Sequence, residues 1–219
     1  MEIKNIKIGI VSTIIFFYNI NIYSADLTNY NFINNYKEGV YTQSFKGNLL
    51  VATDEMTDPK FYKSLIILLE HDEKGAIGFA VNKSLGEYSL SSLVSNNKSI
   101  SESDKKKLDE FSAPIFWGGP LDENRIFVLH SNDYVNKSTK VYDALSLSND
   151  LQILIDISED HGPKDSLIII GISAWGDDQL EGELEREQWS LAEYDLNLIF
   201  RLTNEDKWDS AIKKIFVPL

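Results

Sequence analysis

The fold class that the sequence predicts is α+β. Short apolar runs at residues 65–69 and 167–171 are typical of buried strands, whereas the apolar spacing over residues 151–157 is typical of an amphipathic helix. These strands and helices do not alternate regularly, which favours α+β over a doubly wound parallel sheet. A chain of 219 residues, 43% of them hydrophobic, is predicted to form one domain with a sizeable core, with or without an N-terminal extension.

The N-terminal part differs in composition from the rest of the chain. Residues 1–25 look like a secretory signal, because a basic start precedes a mostly apolar run at residues 8–17 that is too short to span a bilayer. Ser24 and Ala25 are small, as a cleavage site requires. A true signal peptide, a mis-assigned start codon and a tethering apolar tail remain open as alternatives. Residues 26–46 are polar and are predicted to be a linker or arm.

The first strand of the domain is predicted at residues 49–52, directly after a glycine. Thr57 or Asp58 then caps a helix of one or two turns, with Pro59 at its first position, where a missing N–H costs nothing. The helix must be this short because the next apolar run follows at once.

A hairpin is predicted from residue 65 onward. Five consecutive apolar residues, 65–69, suit a strand buried on both faces, although periodicity alone also allows a buried helix. Residues 72–75 form a turn in which Gly75 is free to take positive φ. Residues 76–81 return as the second strand, and Gly78 leaves room there for another element to approach closely.

The remaining elements are predicted from apolar spacing, capping residues and Gly or Pro positions. In chain order they are a short helix at 90–94, a Ser/Asn-rich loop at 95–103, a helix from Ser103 or Asp104, strands at 114–117 and 125–130 joined by a Gly118-Gly119-Pro120 turn, a helix at 151–157 stopped by Gly162-Pro163, a strand at 167–171, a helix from Asp178, a strand at 189–192, and a helix at 205–215 capped by Asn204.

Four blocks in this order resemble the bacterial AlgH/YqgE family. They are GNLLVATDEMTDPKFYKSLIILLEHDEKGAIGFAVN, PIFWGGPLDENRIFVLHS, GISAWGDDQLEGELEREQW and DKWDSAIKK. The resemblance covers residues 47–219 and implies a single α+β domain with a bent, partly barrel-like mixed sheet flanked by helices. It also implies a cytoplasmic regulatory protein, because the AlgH name comes from an association with transcriptional control of alginate production. Family members begin shortly before the first block, so the N-terminal extension departs from the family pattern.

The composition limits the classes of partner and of chemistry. A formal net charge of -13 repels the phosphate backbone, which argues against direct nucleic-acid binding and favours regulation through an unknown protein partner. The basic run at residues 105–107 is flanked by acidic residues, and we interpret it as a solvated helix face. The absence of cysteine excludes disulfides, thiolate metal sites and a cysteine nucleophile.

Two histidines are candidates for chemistry. His71 lies between two carboxylates at the hairpin turn, where it has the neighbours of a general base, but we interpret it as a surface turn residue. His130 precedes Ser131, yet neighbours on a strand point to opposite faces and do not form a catalytic pair. We therefore expect His130 to be hydrogen-bonded at a strand end.

Residues 179–187 are strongly acidic. Gln179 and Glu183 are four apart and share a helical face, where together with His130 they offer ligands to a divalent metal. Because the spacings of known histidine metal motifs are absent, we interpret the segment as a solvated acidic face and assign no metal and no cofactor.

Four polar positions within the family motifs have no obvious role in the core: Asn82, His130, Gln179 and Glu183. They are our candidates for ligand binding. One alternative function is therefore a small-molecule-binding domain or enzyme with a cleft near His130, Gln179 and Glu183. A second alternative, an exported envelope domain, applies if residues 1–25 are a true signal peptide. We assign no catalytic residue and favour a function other than catalysis.

Overall fold

Ten strands of one mixed sheet organise the residues that the computed structural model describes, 44–95 and 100–215. The strands are β1 (Asn48–Ala52), β2 (Leu65–Asp72), β3 (Gly75–Ala80), β4 (Ser84–Ser89), β5 (Ser112–Trp117), β6 (Leu121–Ser131), β7 (Lys140–Tyr142), β8 (Leu145–Ser148), β9 (Ser166–Trp175) and β10 (Trp189–Glu193). The predicted signal-like segment, nearly all of the predicted arm and the middle of the predicted Ser/Asn-rich loop lie outside the described residues.

Six α-helices and one 3-10 turn (Pro59–Phe61) accompany the sheet in this described part of the chain. The helices are α1 (Leu90–Val94), α2 (Glu102–Asp109), α3 (Gln152–Ser158), α4 (Gln179–Glu185), α5 (Leu196–Phe200) and α6 (Asn204–Ile212).

The sheet has the order β10-β1-β2-β3-β9-β6-β8-β7, and β5 and then β4 branch from it at β9. All described pairings are antiparallel except β5 with β9. The sheet curls into a half-barrel, which confirms the predicted α+β class and the bent mixed sheet. Strand β9 is central to this arrangement because it pairs with β3 and β5 on one side and with β6 on the other.

The hairpin at the start of the domain is confirmed. Its first strand, β2, is buried from Leu65 to His71, and Asp58 caps the preceding 3-10 turn by accepting a hydrogen bond from the Lys60 N–H. Gly75 has the predicted positive φ of 128°. A Cβ at Gly78 would lie 2.7 Å from both a side-chain atom of Ile66 and the carbonyl oxygen of Ile67, so β2 and β3 pack too closely there for any side chain.

Helices cover the sheet in two apolar clusters. In one, the indoles of Trp175 and Trp189 pack with Leu180 of α4 against strands β1, β2 and β3. In the other, Leu90 of α1, Leu108 of α2 and residues of α3 pack against β5, β6 and β9. The predicted amphipathic helices are thus part of the core.

The Gly118-Gly119 pair is a crossing point. It joins β5 to β6 on opposite sides of β9, so the chain passes directly over that strand. A Cβ at Gly118 would lie 2.3 Å from the Gly171 carbonyl oxygen, and a Cβ at Gly119 would lie 2.2 Å from Ile172 backbone atoms. The predicted turn between two strands is confirmed. Glycine is required at both positions because a Cβ there would clash with the backbone of β9.

Several elements differ from the prediction. The structure adds β4, β7, β8 and α5, which the sequence pattern did not indicate. Helix α6 is capped by Thr203, whose hydroxyl accepts from the Asp206 N–H, so the predicted cap Asn204 is the first helical residue. Helix α2 similarly starts after Ser101, and α6 ends at Ile212. These shifts are the usual uncertainty of helix ends, where several capping side chains stand in a row.

Candidate functional site

The polar residues singled out in the sequence do not form one cleft. His130 of β6 pairs with Ser166 at the beginning of β9, whereas Gln179 follows Trp175 at the end of that strand. Strand β9 has ten residues, so nine steps separate its ends, which is about 30 Å at the usual rise per residue. The structure brings Gln179 and Glu183 together and leaves His130 far from them, so it does not form the cleft that the sequence suggested around all three.

Glu183 fastens α4 to the sheet. Its Oε2 accepts hydrogen bonds from both the Trp175 and the Trp189 indole N–H, each at 2.8 Å, and its Oε1 accepts from Gln179 Nε2 at 3.1 Å. Gln179 Oε1 in turn accepts from the Gly176 N–H. The interpretation of this segment as only a solvated acidic face is wrong for Glu183, because two buried indoles need its carboxylate as their acceptor.

His130 is fully buried and hydrogen-bonded at both ring nitrogens. Nδ1 donates to the Ser131 carbonyl at 2.8 Å, and Nε2 accepts from the Ser148 hydroxyl at 3.0 Å. Burial lowers the pKa of His130, so the imidazole is neutral. A hydroxyl donating to a neutral imidazole resembles an activated nucleophile, but Ser148 is as buried as His130 and no substrate reaches it. The pair stabilises the contact of β6 with β8, in agreement with the expected structural role.

Asn82 links the beginning of β2 to the end of β3. Its side-chain Oδ1 accepts from the Leu65 N–H at 2.9 Å, and its Nδ2 donates to the Lys63 carbonyl at 2.8 Å. Both functional groups of the amide are therefore used within the protein. Asn82 also lines the groove described below.

The interpretation of His71 as a surface turn residue is wrong. Its ring stacks on Phe45 at 5.0 Å and is buried. Nδ1 accepts from the Phe45 N–H, and Nε2 donates to Glu181 Oε1, both at 2.8 Å. The error arose because residues far along the chain cover the hairpin end, which local sequence does not reveal.

Glu70 is the centre of a second polar cluster beside His71. This buried carboxylate accepts hydrogen bonds from Lys46 and Lys140, and the two ammonium groups also lie 5.4 Å and 5.0 Å from the Tyr142 ring centroid. Burial and the adjacent carboxylate raise the pKa of Tyr142, so its phenol is neutral. The cluster attaches residues 44–46 to β2 and β7, and each charge in it has a partner.

Strand β4 is exposed to solvent on both of its faces. Within the described residues it pairs only with β5, and every residue from Ser84 to Tyr88 is solvent-exposed. Because successive side chains on a strand point to opposite faces, neither face of β4 is covered. Leu85 is 47% and Tyr88 46% exposed, and Tyr62 nearby is 54% exposed. A free strand edge with exposed large side chains is a typical binding surface.

A groove of about 550 Å³ lies next to β4. Its half-buried lining consists of Asn82, Lys83, Trp117 and Asn204. The exposed residues at its rim are Lys60, Ser84, Leu85, Glu123 and Glu205. This volume is in the range of small-molecule sites.

Lys83 is the charged group inside the groove. Its ammonium donates to the Tyr62 carbonyl, and within the described residues no carboxylate lies within ion-pair distance of it. Burial lowers the pKa of Lys83. The side chain of Trp117 contacts Phe61 at a ring separation of 5.3 Å and contributes a flat apolar wall. Neither Lys83 nor Trp117 stands out in the sequence without the fold.

Residues 44–95 and 100–215 have neither a metal-binding cluster nor a membrane-spanning helix. These residues contain no group of three or more His, Asp or Glu side chains arranged to hold a metal ion. None of the helices in the same ranges has the length and apolar character needed to cross a bilayer.

The fold and this surface define a class of protein: an acidic α+β domain with a curled sheet, a free edge strand and an adjacent groove. Comparison with known proteins identifies the family. The model of the family described as AlgH-like matches residues 49–219, and the chain belongs to this family.

Relatives in other bacteria support this family assignment, and two solved structures share the fold. A UPF0301 protein of Ruegeria pomeroyi is 38% identical over 169 residues, 76% of this chain and 89% of the relative. A UPF0301 protein of Rickettsia akari is 39% identical over 173 residues, 76% of this chain and 86% of the relative. The solution structure of the AlgH protein from Pseudomonas aeruginosa superimposes with a TM-score of 0.66 and 29% identity, covering 81% of this chain and 92% of that one. A crystal structure from Corynebacterium diphtheriae, 16% identical with a TM-score of 0.59, shares the fold.

Proposed function

We propose that this protein is a regulatory protein that acts by binding a protein partner, and that the partner adds an extended segment to the free edge of β4. The observation that carries the proposal is the exposure of β4 on its outer edge and on both faces. Membership in the AlgH-like family supports the regulatory part, since the sequence resemblance implies a regulator.

The chemistry of the β4 edge supports an extended peptide. A strand bonded on one side presents backbone N–H and C=O groups on the other, and an added strand satisfies them. Leu85 and Tyr88 supply apolar contacts for alternate side chains of the partner. The formal charge of -13 disfavours nucleic acid as the partner, because a nucleic-acid backbone would be repelled.

Photo-crosslinking in the native cells tests this proposal. A photoreactive amino acid replaces Tyr88 in one full-length variant and Val135, which is 68% exposed in the loop between β6 and β7, in a matched control. We expect the variant at position 88 to trap one specific protein that the control does not trap. Equal crosslinking patterns from both positions, or none at position 88, would contradict docking at β4.

The affinity of the trapped protein then tests the contacts. Leu85→Lys and Tyr88→Lys are expected to weaken its binding by about tenfold or more, since the loss of a central anchor side chain at an interface costs about 2 kcal/mol or more. Val135→Lys is the control and is expected to leave the affinity unchanged. If all three variants bind equally well, the partner docks elsewhere.

The proposed location is the cytoplasm, with an exported envelope protein as the alternative. The N-terminal mass of the protein from its own cells decides between them. A chain that begins at Ala25 or Asp26 would establish export and exclude cytoplasmic partners, whereas a chain that keeps Met1 agrees with a cytoplasmic regulator.

A further inference from the structure

We propose that the groove beside β4 binds a small ligand with a single anionic group, a carboxylate or a phosphate, attached to a flat apolar body. Lys83 holds the anionic group and Trp117 contacts the apolar body. The groove adjoins the free strand edge and shares Leu85 with it, but its occupancy is measurable without any protein partner. The inference therefore does not depend on the proposed function.

Lys83 differs from comparable lysines because it has no carboxylate partner among the described residues. Lys105 and Lys140 are lysines of similar exposure, and each forms an ion pair with a carboxylate, whereas Lys83 has none among the described residues. Its Nζ donates to one carbonyl and retains two further N–H donors. A partly desolvated ammonium without a counter-ion is unfavourable, and an anionic ligand would supply the counter-ion.

A second buried ammonium, that of Lys207, is on helix α6, which also contributes Asn204 to the groove lining. Lys207 is only 2% exposed, its Nζ donates to the Val81 carbonyl at 2.8 Å, and it lies 5.2 Å from the Phe116 ring centroid. Within the described residues, no carboxylate is paired with it. Val81 and Phe116 lie two residues and one residue before Lys83 and Trp117, so the charge of Lys207 adds to the positive potential that an anion in the groove would meet.

The apolar part of the ligand is inferred from Trp117 and Leu85 in the groove lining. Trp117 is half-buried and held by Phe61, and Leu85 lies at the rim. A flat ring or chain placed between these side chains would bury apolar surface on Trp117, which is the usual source of affinity in small-molecule sites.

The rim limits the charge of the ligand. Glu123 and Glu205 are exposed there and outnumber the rim cation Lys60. These carboxylates would repel a polyanion such as nucleic acid at several of its charges, whereas a single anionic group meets a smaller repulsion that its hydrogen bond to Lys83 offsets. The arrangement therefore selects a ligand with one anion.

The test uses the full-length, ¹⁵N-labelled protein and three probes: benzoate, inorganic phosphate and uncharged benzyl alcohol. We expect benzoate to cause saturable shifts of the Lys83 and Asn204 amides and of the Trp117 indole resonance. Benzyl alcohol is expected to bind about tenfold more weakly, because it lacks the charge-assisted hydrogen bond to Lys83. Phosphate shifts confined to Lys83 would identify the phosphoryl form of the anion, and benzoate shifts alone the carboxylate form.

Two variants make the test specific. Lys83→Met is expected to lower the benzoate affinity about tenfold while the spectrum stays that of a folded protein. Lys74→Met, at an exposed position in the hairpin turn, is the matched control and should bind like the natural protein. Burial lowers the pKa of Lys83, so benzoate affinity is also expected to fall with rising pH before an ordinary lysine would lose its proton.

Three results would overturn the inference. The first is the absence of saturable benzoate and phosphate shifts at the groove. The second is equal affinity for benzoate and benzyl alcohol, which would make the site apolar only. The third is an unchanged benzoate affinity in a folded Lys83→Met variant.

Discussion

Two parts of the molecule bury charged side chains, and they differ in whether those charges have partners. At the end of the hairpin, Glu70 is paired with two lysines and His71 with Glu181. Next to β4, Lys83 and Lys207 have only carbonyl acceptors among the described residues. Paired charges fasten parts of the chain together, whereas unpaired charges cost stability that a ligand recovers on binding. The comparison therefore separates structural polar groups from a candidate binding site.

Among the structural polar groups, loss of the Glu183 carboxylate should lower the free energy of unfolding the most. Glu183→Ala removes the common acceptor of two buried indoles, and we expect the free energy of unfolding to fall by about 3 kcal/mol. Urea denaturation measures it, with Glu185→Ala on the exposed side of the same helix as control. A loss of under about 1 kcal/mol would mean that water replaces this carboxylate without penalty.

The paired cluster at Glu70 should give the next largest effect. Glu70→Ala leaves two lysines without their carboxylate, and we expect a loss of about 2 kcal/mol. Glu102→Ala is the matched surface change, because its ion pair with Lys105 is exposed and should contribute about 0–1 kcal/mol. Equal losses in the two variants, measured by urea denaturation, would remove the distinction between a structural cluster and a surface ion pair.

Replacing the unpaired Lys207 should stabilise the protein at neutral pH, whereas replacing the paired Glu70 should destabilise it. Burial lowers its pKa from 10.5 to about 8 in the folded protein. Between these pH values the unfolded chain binds more protons than the folded chain, so stability should rise as pH increases from 8 to 10.5. Lys207→Met should remove most of this rise and stabilise the protein at pH 7 by about 1–2 kcal/mol. Urea denaturation at several pH values measures both effects, and strong destabilisation by Lys207→Met would make this lysine structural.

The exposed strand should give the smallest effect on stability. Leu85→Ser and Tyr88→Ser remove side chains that face solvent, so the free energy of unfolding should stay within about 0.5 kcal/mol. Leu68→Ala in the buried strand β2 is the comparison and should cost about 2–5 kcal/mol. A large loss on changing Leu85 or Tyr88 would mean that β4 contributes to the core instead of presenting a surface.

The sequence predicted the elements whose residues show a regular apolar pattern or a clear turn. The β2–β3 hairpin followed from one apolar run, a turn and Gly75, and the paired positions of Gln179 and Glu183 followed from helical spacing. Strand β4 was missed because it is exposed on both faces, so its residues show no alternation of apolar and polar side chains.

The groove could not be predicted from the sequence, because segments far apart in the chain form it. Lys207 and Val81 are 126 residues apart, and only the folded chain places α6 behind the β3–β4 connection. The exposure predicted for His71 was wrong for the same reason, since Phe45 and Glu181 approach it from distant segments. Contacts of this kind depend on topology, which a single sequence does not specify locally.

The most direct test of whether the charges beside β4 are unpaired is a titration of the Lys207 side chain. The ¹³Cε chemical shift of Lys207 in the labelled protein reports its protonation. The account predicts that Lys207 titrates with a pKa of about 8 and that saturating benzoate raises this pKa. A Lys207 that titrates at or above the ordinary 10.5, with or without benzoate, would contradict it, because the ammonium would then be either solvated or already paired.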